Sequence, residues 1–163
     1  MTVAELNSFD RPAFVAAIVS VFEHSPWVAE RAWMARPFAD LHALHAAMVE
    51  QVERATDAER LALLRAHPDL GARARMSDTS TLEQARAGLD SLTGDEYERL
   101  RTLTTAYHER FGFPFLLAVK GKSKNEIFDA LQARMGSLPE EEHREALEQV
   151  YRIARFRLEG IVT

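Results

Sequence analysis

The sequence predicts an all-α fold, a single non-repeating bundle of about eight helices that takes up residues 1–163 as one domain. Three observations favour this fold. Glycine and proline are few, seven and six in 163 residues, which disfavours a turn-rich β architecture. Apolar residues recur at helical spacing through most of the chain. Residues suited to helix caps precede these apolar stripes.

Four helices are predicted in the first half of the chain. Their starts are expected near Asp10, Ser25, Asp40 and Asp57. Aspartate and serine accept hydrogen bonds from the free N–H groups at a helix start. Pro37 and Pro68 are expected to end the second and fourth helices, because proline disfavours helical geometry in the residue before it and cannot donate to the helical ladder.

Four further helices are predicted in the second half. Their starts are expected near Ser80, Thr93, Ser123 and Ser137, and the last helix is expected to run to about Gly160. Residues 68–79 lack periodicity and are predicted to form a loop. Gly112 is expected to end the helix that starts at Thr93, in a left-handed conformation. Residues 113–119 are apolar and contain Pro114, so they are expected to be an extended or irregular buried segment.

Composition excludes several classes of function. The chain has no cysteine, which excludes disulfides, thiolate catalysis and thiolate metal sites. The net charge is −5 and no basic tract is present, so no nucleic-acid partner is expected. The first residues lack a basic region followed by an apolar run, and no apolar stretch approaches about 18 residues, so we expect a soluble, unexported protein without a membrane span.

Metal and nucleotide sites are not indicated by the motifs present. There is no glycine-rich phosphate loop and no His-Glu-x-x-His motif. His42 and His45 lie one helical turn apart, but two imidazoles alone make a weak metal site. We interpret His45 as a core residue and His42 as a surface residue, and we expect no metal.

His67 is a candidate for proton transfer. It lies at the end of a predicted helix, directly before Pro68, and therefore at the start of the predicted loop. An unperturbed imidazole has a pKa of about 6.5, which suits general acid–base catalysis near neutrality. The alternative is a structural role, in which a cationic side chain complements the negative end of the helix dipole.

Ser80, Glu83 and Gln84 allow two interpretations. Ser80 and Glu83 have the spacing of a capping box, which would satisfy the helix start completely. The same helix start, with free N–H groups beside serine, glutamate and glutamine, could form a polar pocket for an anionic ligand rich in amide groups. The sequence alone favours neither.

Arg157 is a candidate for anion binding. On a helical wheel it lies about 60° from the centre of the apolar arc of the last helix, whereas Arg152 points away. An arginine that faces the core requires an anion, and either an internal carboxylate or a substrate carboxylate would match the guanidinium. In the alternative, the aliphatic stem packs while the charged head reaches solvent.

Several short motifs, in order along most of the chain, resemble the OHCU decarboxylase family, named for 2-oxo-4-hydroxy-4-carboxy-5-ureidoimidazoline. The motifs are Glu23-His24-Ser25-Pro26-Trp27, Arg36-Pro37-Phe38, His67-Pro68-Asp69-Leu70, Ser80-x-x-Glu83-Gln84 with Ala87-Gly88-Leu89, Phe111-Gly112-Phe113-Pro114-Phe115, Lys120-Gly121, and Ile153-Ala154 through Arg157-Leu158. The resemblance covers residues from about 9 to 158, and seven motifs in register are far more specific than one.

The resemblance implies a set of site residues. His67 matches the catalytic acid/base and Glu83 its partner. The positions that match substrate-binding residues of the family are Ser80, Gln84, Arg157, Pro68, and the backbone of Phe115, Leu116, Leu117 and Ala118. One departure is Thr104, which stands where the family often has asparagine.

The resemblance also implies a function. It is the decarboxylation of an anionic ureidoimidazoline to (S)-allantoin, the last step from urate, by a cofactor-free enzyme that is usually a homodimer. Two alternatives are a non-catalytic helical binding module and a decarboxylase of a related ureido or β-imino acid. Because the chain ends in Gly160-Ile161-Val162-Thr163 and not in a peroxisomal Ser-Lys-Leu signal, a bacterial cytoplasm is the expected location.

Overall fold

Helices make up all the regular structure in a computed structural model that describes residues 1–70 and 89–163. Within these ranges no strand is present. The α-helices are α1 (Val3–Ser8), α2 (Arg11–Ile18), α3 (Pro26–Ala32), α4 (Leu41–Glu53), α5 (Asp57–Ala66), α6 (Gly94–Phe111), α7 (Lys124–Met135) and α8 (Pro139–Ile161). Short 3₁₀ turns occur at Val19–Val21, Trp33–Ala35 and Leu89–Ser91. The predicted all-α fold is confirmed.

Four of the eight predicted helix starts are confirmed by their capping hydrogen bonds. The carboxylates of Asp10 and Asp40 accept from the backbone N–H three residues later, at 3.0 and 2.8 Å. Thr93 and Ser123 each form a complete capping box with a glutamate at the third position of the helix. Ser25 precedes α3 as predicted, but its hydroxyl donates to the carbonyl of Glu23, at 2.9 Å, and does not cap the helix.

The first helix, α1, is not among the predicted elements. Thr2 and Glu5 form a capping box around its start, in which each side chain bonds the other residue's backbone N–H. The Thr-x-x-Glu spacing was therefore a usable signal. The helix predicted near Ser80 falls outside the described residues.

The described residues group into two compact units. The first consists of Met1–Ala66 and Val150–Thr163, and the second of His67–Gln149. Buried apolar residues occur in both, for example Phe14 in the first unit and Leu100 in the second. That the chain forms one domain stays a prediction.

Arg36 connects the loops of the first unit. Its guanidinium donates to the carbonyls of Asn7 and Phe9, at 2.9 and 2.8 Å, and lies over the ring of Trp33, 4.0 Å from its centroid. The side chain of Asn7 in turn exchanges two hydrogen bonds with the backbone of Phe38. The Arg36-Pro37-Phe38 motif, which contains a cis peptide bond before Pro37, therefore has a structural role in this unit.

Helices α6 and α7 of the second unit are joined by packing and by charge. Lys124, at the start of α7, lies 3.0 Å from Glu96, in the first turn of α6. Helix α6 ends at Gly112, whose φ of +80° is the left-handed conformation that the sequence predicted. The 113–119 segment follows directly, so the position at which this segment begins is set by a glycine cap.

No helix among the described residues is both long and apolar enough to cross a lipid bilayer.

Candidate active site

His67 lies immediately after α5, at the position that the sequence predicted. The helix ends at Ala66, and Pro68 follows the histidine. The imidazole is buried, with only 2% of the residue exposed. A histidine surrounded by protein can be oriented by its neighbours, which a general acid/base requires. Pro68 is half-buried beside it.

Three of the predicted site residues lie outside the described part of the chain. They are Ser80, Glu83 and Gln84. Their roles stay predictions.

The 113–119 segment is buried but not helical. All seven of its residues are buried, with Phe115 and Leu116 at 0% and 1% exposure. A helix satisfies its own peptide groups, whereas a buried irregular segment must find partners elsewhere. The segment was predicted to be extended or irregular and buried, and this is confirmed.

Two side chains supply hydrogen bonds to the backbone of this segment. Arg134, on α7, donates from Nη1 to the carbonyl of Leu116, at 2.6 Å. Gln149, on α8, accepts at Oε1 from the N–H of Ala118, at 3.0 Å. The amide of Gln149 is oriented by a second bond, in which Nε2 donates to Glu145, at 2.8 Å. Two of the four predicted backbone positions are thus held by side chains of neighbouring helices.

A buried ion pair holds Arg134. Its Nε and Nη2 lie 2.6 and 2.5 Å from one oxygen of Glu142, which is only 1% exposed. The hydroxyl of Tyr107 donates to the same oxygen. Burial, with the Glu142 contact, raises the pKa of Tyr107 far above its usual range. The phenol therefore stays a neutral donor, and Glu142 receives hydrogen bonds from both neighbours.

Aromatic rings surround this ion pair. The ring of Tyr107 lies 5.1 Å from Phe115 and 4.7 Å from Phe111, centroid to centroid. The guanidinium of Arg134 lies 4.5 Å from the centroid of Phe115. Arg134 therefore contacts both the backbone of the segment, at Leu116, and one of its side chains.

Arg157, in the first unit, faces an internal carboxylate. Its Nη1 donates to Glu23, at 2.7 Å, and to the carbonyl of Ser20, at 3.1 Å. Its side chain is 11% exposed, so it does face inward as the helical wheel predicted. Of the anions that the sequence left open, the internal carboxylate is present, and it belongs to the Glu23-His24-Ser25-Pro26-Trp27 motif.

A left-handed residue follows Glu23 in that motif. His24 has a φ of +46°, a conformation that is uncommon for residues other than glycine. The hydroxyl of Ser25 bonds back to the carbonyl of Glu23. The tight turn is thus stabilised at the residue that pairs with Arg157.

The histidine pair on α4 has a structural explanation. His45 is half-buried and donates from Nε2 to the carbonyl of Tyr151, at 2.8 Å, whereas His42 is exposed. Burial lowers the pKa of His45. Among the described residues, no group of three or more histidine, aspartate or glutamate side chains is arranged to hold a metal ion.

Three buried polar residues of the second unit were missed in the sequence. They are Arg134, Glu142 and Gln149. A usable signal existed for two of them: Glu142 and Gln149 lie at helical spacing with the buried Ala146 and Ile153, so they are polar residues on the apolar face of α8. The same reasoning identified Arg157.

Nearly the whole chain, residues 7–159, matches the family model described as OHCU decarboxylase. The chain belongs to the OHCU decarboxylase family. Among its relatives, the 2-oxo-4-hydroxy-4-carboxy-5-ureidoimidazoline decarboxylase of Haloferax volcanii is 46% identical over 158 residues, which cover 97% of this chain and 94% of that protein.

Two longer proteins match this chain over part of their own length. The uric acid degradation bifunctional protein PucL of Bacillus subtilis is 47% identical over 99% of this chain, which spans 33% of that protein. A crystal structure of (S)-allantoin synthase superposes with a TM-score of 0.80 at 33% identity, over 99% of this chain and 54% of that one. The chain therefore spans between a third and just over half of the length of these longer relatives.

The Glu142→Gln substitution is expected to destabilise this OHCU decarboxylase family member by about 3–5 kcal/mol, because it leaves the Arg134 charge buried without its anion. Urea denaturation followed by far-UV circular dichroism measures the difference. The matched control is Glu141→Gln, an exposed glutamate in the same helical turn, which should change the free energy of unfolding by no more than about 0.5 kcal/mol. Equal effects of the two substitutions would contradict the importance of the ion pair.

Proposed function

We infer that this chain catalyses the decarboxylation of 2-oxo-4-hydroxy-4-carboxy-5-ureidoimidazoline (OHCU) to (S)-allantoin, the last step from urate to allantoin. The observation that carries the inference is the family match over residues 7–159. The Haloferax decarboxylase, matched over 94% of its length, supports the reaction. The (S)-allantoin synthase structure supports the product.

The chemistry of the substrate explains why ordinary side chains suffice. The carboxylate lies on a ring carbon next to a C=N bond, so the substrate is a β-imino acid. When the bond to the carboxylate breaks and CO₂ leaves, its electron pair forms a C=C bond to the imine carbon, the π pair of the C=N bond moves onto the imine nitrogen, and that nitrogen gains a proton. The substrate is thus its own electron sink, and we propose that the enzyme uses no cofactor.

His67 is the proposed acid/base of this reaction. The carbon that loses CO₂ carries a hydroxyl, and His67, oriented by Glu83, takes the hydroxyl proton. The enol-like intermediate then gains a proton at the neighbouring carbon, which bears the ureido group. Protonation on one face only gives the (S) enantiomer. The burial of His67 supports this role because water cannot compete freely for the proton.

The remaining site residues are proposed to bind the substrate. Ser80 and Gln84 bind its ureido and ring amide groups, and Pro68 lines the site. The backbone from Phe115 to Ala118 contributes peptide groups, which is supported by the burial of this non-helical segment. Arg157 binds a carboxylate or carbonyl oxygen, with its guanidinium oriented by Glu23.

We also propose that the enzyme is a cytoplasmic homodimer, as the family resemblance implies. Sedimentation equilibrium should give a mass about twice the 18.4 kDa of one chain. A concentration-independent mass of one chain would contradict the dimer. Recovery of the protein with membranes after cell fractionation would contradict the location.

The reaction is tested by generating the substrate from urate with urate oxidase and hydroxyisourate hydrolase, and by following the product with circular dichroism. With this protein present, optically active (S)-allantoin should form faster than in the spontaneous reaction. Racemic product at the spontaneous rate overturns the proposal. It would favour a binding module, or a decarboxylase of a related ureido or β-imino acid, which the same assay with analogues would reveal.

His67→Ala is expected to lower kcat about 10²- to 10⁴-fold, because the reaction loses its positioned acid/base. The assay is the circular dichroism measurement with freshly generated substrate. His42→Ala is the matched control, since His42 is exposed on α4, and it should retain the activity of the unaltered enzyme. A His67→Ala variant with unchanged kcat would remove His67 from the mechanism.

Arg157→Gln is expected to raise KM about 10- to 100-fold, because a charge-assisted hydrogen bond to an oxygen of the substrate is lost. Arg152→Gln is the matched control, an exposed arginine on the same helix. Steady-state kinetics distinguishes the two roles of Arg157. If Arg157→Gln lowers the melting temperature but leaves KM unchanged, the residue only pairs with Glu23 and does not bind substrate.

A further inference from the structure

The backbone of the 113–119 segment has few internal partners for a buried stretch of chain. Arg134 bonds the Leu116 carbonyl and Gln149 bonds the Ala118 N–H. Within residues 1–70 and 89–163, no hydrogen bond reaches the peptide groups of Phe115 or Leu117. Buried peptide groups are almost always hydrogen-bonded. The peptide groups of Phe115 and Leu117 therefore require a hydrogen-bond partner other than the residues that pack against this segment.

The hydrogen bonds of the Leu116 carbonyl and the Ala118 N–H indicate how the segment is oriented. In an extended chain, successive residues direct their peptide groups to opposite sides, and residues two apart direct them to the same side. Leu116 and Ala118 are two apart, and each is bonded by a side chain of an adjacent helix. In that arrangement Phe115 and Leu117 direct their peptide groups to the opposite side.

We propose that Arg134 and Gln149 are positioning residues: by bonding Leu116 and Ala118 they direct the peptide groups of Phe115 and Leu117 toward the substrate. The inference rests on the proposed function, since it assigns the ligand of these groups. Arg134 and Gln149 do not touch the substrate. They act through the backbone, and the property they control is the orientation in which the substrate is bound.

A neighbouring glutamate fixes the orientation of each of these two side chains. The guanidinium of Arg134 is fixed by two contacts to Glu142, so the direction of its third bond, to Leu116, is fixed as well. A lysine could not reproduce this planar set of donors. The Gln149 amide is oriented by Glu145, whose carboxylate can only accept from Nε2, so Oε1 faces Ala118.

The orientation of the 113–119 segment is expected to affect which enantiomer of allantoin is formed. The face on which the intermediate is protonated depends on how the ring is seated relative to the proton donor. If the peptide groups of Phe115 and Leu117 shift, the substrate is seated less tightly and in more than one orientation. Loss of positioning should therefore raise KM and lower the enantiomeric excess together, whereas the effect expected from loss of His67 is a lower kcat.

The test is Gln149→Met, which preserves the approximate size of the side chain and removes its acceptor. In the circular dichroism assay with chiral chromatography of the product, we expect KM to rise about 10-fold or more, as small misplacements of binding groups do, and the excess of (S)-allantoin to fall. Arg134→Lys should change the same two quantities in the same direction.

A charge-swapped double variant provides the rescue. Glu145→Gln combined with Gln149→Glu keeps an acceptor oxygen beside Ala118, a donor on α8 to orient it, and the same net charge. KM and enantiomeric excess should return to within about threefold of the unaltered enzyme. Leu131→Ala is the stability control, because Leu131 is fully buried on α7 and is bonded to neither residue. It should lower the melting temperature and leave both quantities unchanged.

The outcomes separate the two proposals. If the unaltered protein does not accelerate (S)-allantoin formation, the proposed function fails. If it does and Gln149→Met leaves KM and enantiomeric excess within twofold, or if Leu131→Ala changes them equally, positioning is overturned. Amide exchange needs no turnover: the Ala118 N–H should exchange about 10-fold faster in Gln149→Met, and an unchanged rate also overturns positioning.

Discussion

The ion pair between Arg134 and Glu142 is the interaction on which the second unit depends. It joins α7 to α8, receives the Tyr107 hydroxyl from α6, and holds the Leu116 carbonyl. Two opposite charges are stable in a protein interior only when both are paired and hydrogen-bonded. In this protein both charges are paired and hydrogen-bonded, so removal of one partner leaves the other charge buried and unpaired. The position of Glu142 in the first turn of α8 adds a favourable interaction with the helix dipole.

This ion pair helps to offset the cost of burying the peptide groups of a non-helical segment in an otherwise helical protein. A helix at residues 113–119 would bond its own peptide groups and offer none to a ligand. Gly112 ends α6 and Pro114 prevents its continuation. The chain then relies on side chains from two helices for its hydrogen bonds, and in the proposed site the remaining peptide groups bind the substrate. A segment that costs stability in this way is typical of a functional site.

Local signals explain how much of the fold the sequence predicted. A cap at Asp40 or Ser123 and a left-handed glycine at 112 depend on neighbours within a few residues, and each is confirmed. The pairing of Arg157 with Glu23 joins positions far apart in sequence. The helical wheel showed that an anion was needed but not which one. Arg134 and Leu116 meet for the same tertiary reason, so spacing could not reveal them. Within the candidate site, the sequence placed His67 and the buried segment, and the side chains that support the segment became visible only in three dimensions.

In the proposed site, the Glu23 carboxylate beside Arg157 also affects how the substrate carboxylate is bound. An enzyme accelerates decarboxylation by stabilising the transition state more than the substrate. An isolated arginine would favour the full charge of the carboxylate and oppose its departure as neutral CO₂. Glu23 partly offsets that charge while fixing the direction of the guanidinium. In the proposed site Arg157 is therefore an oriented hydrogen-bond donor whose positive charge is partly offset. It can bind the substrate without strongly stabilising the charged form of the carboxylate. The net charge of −5 is consistent with recognition by a few oriented groups and not by a strongly positive surface.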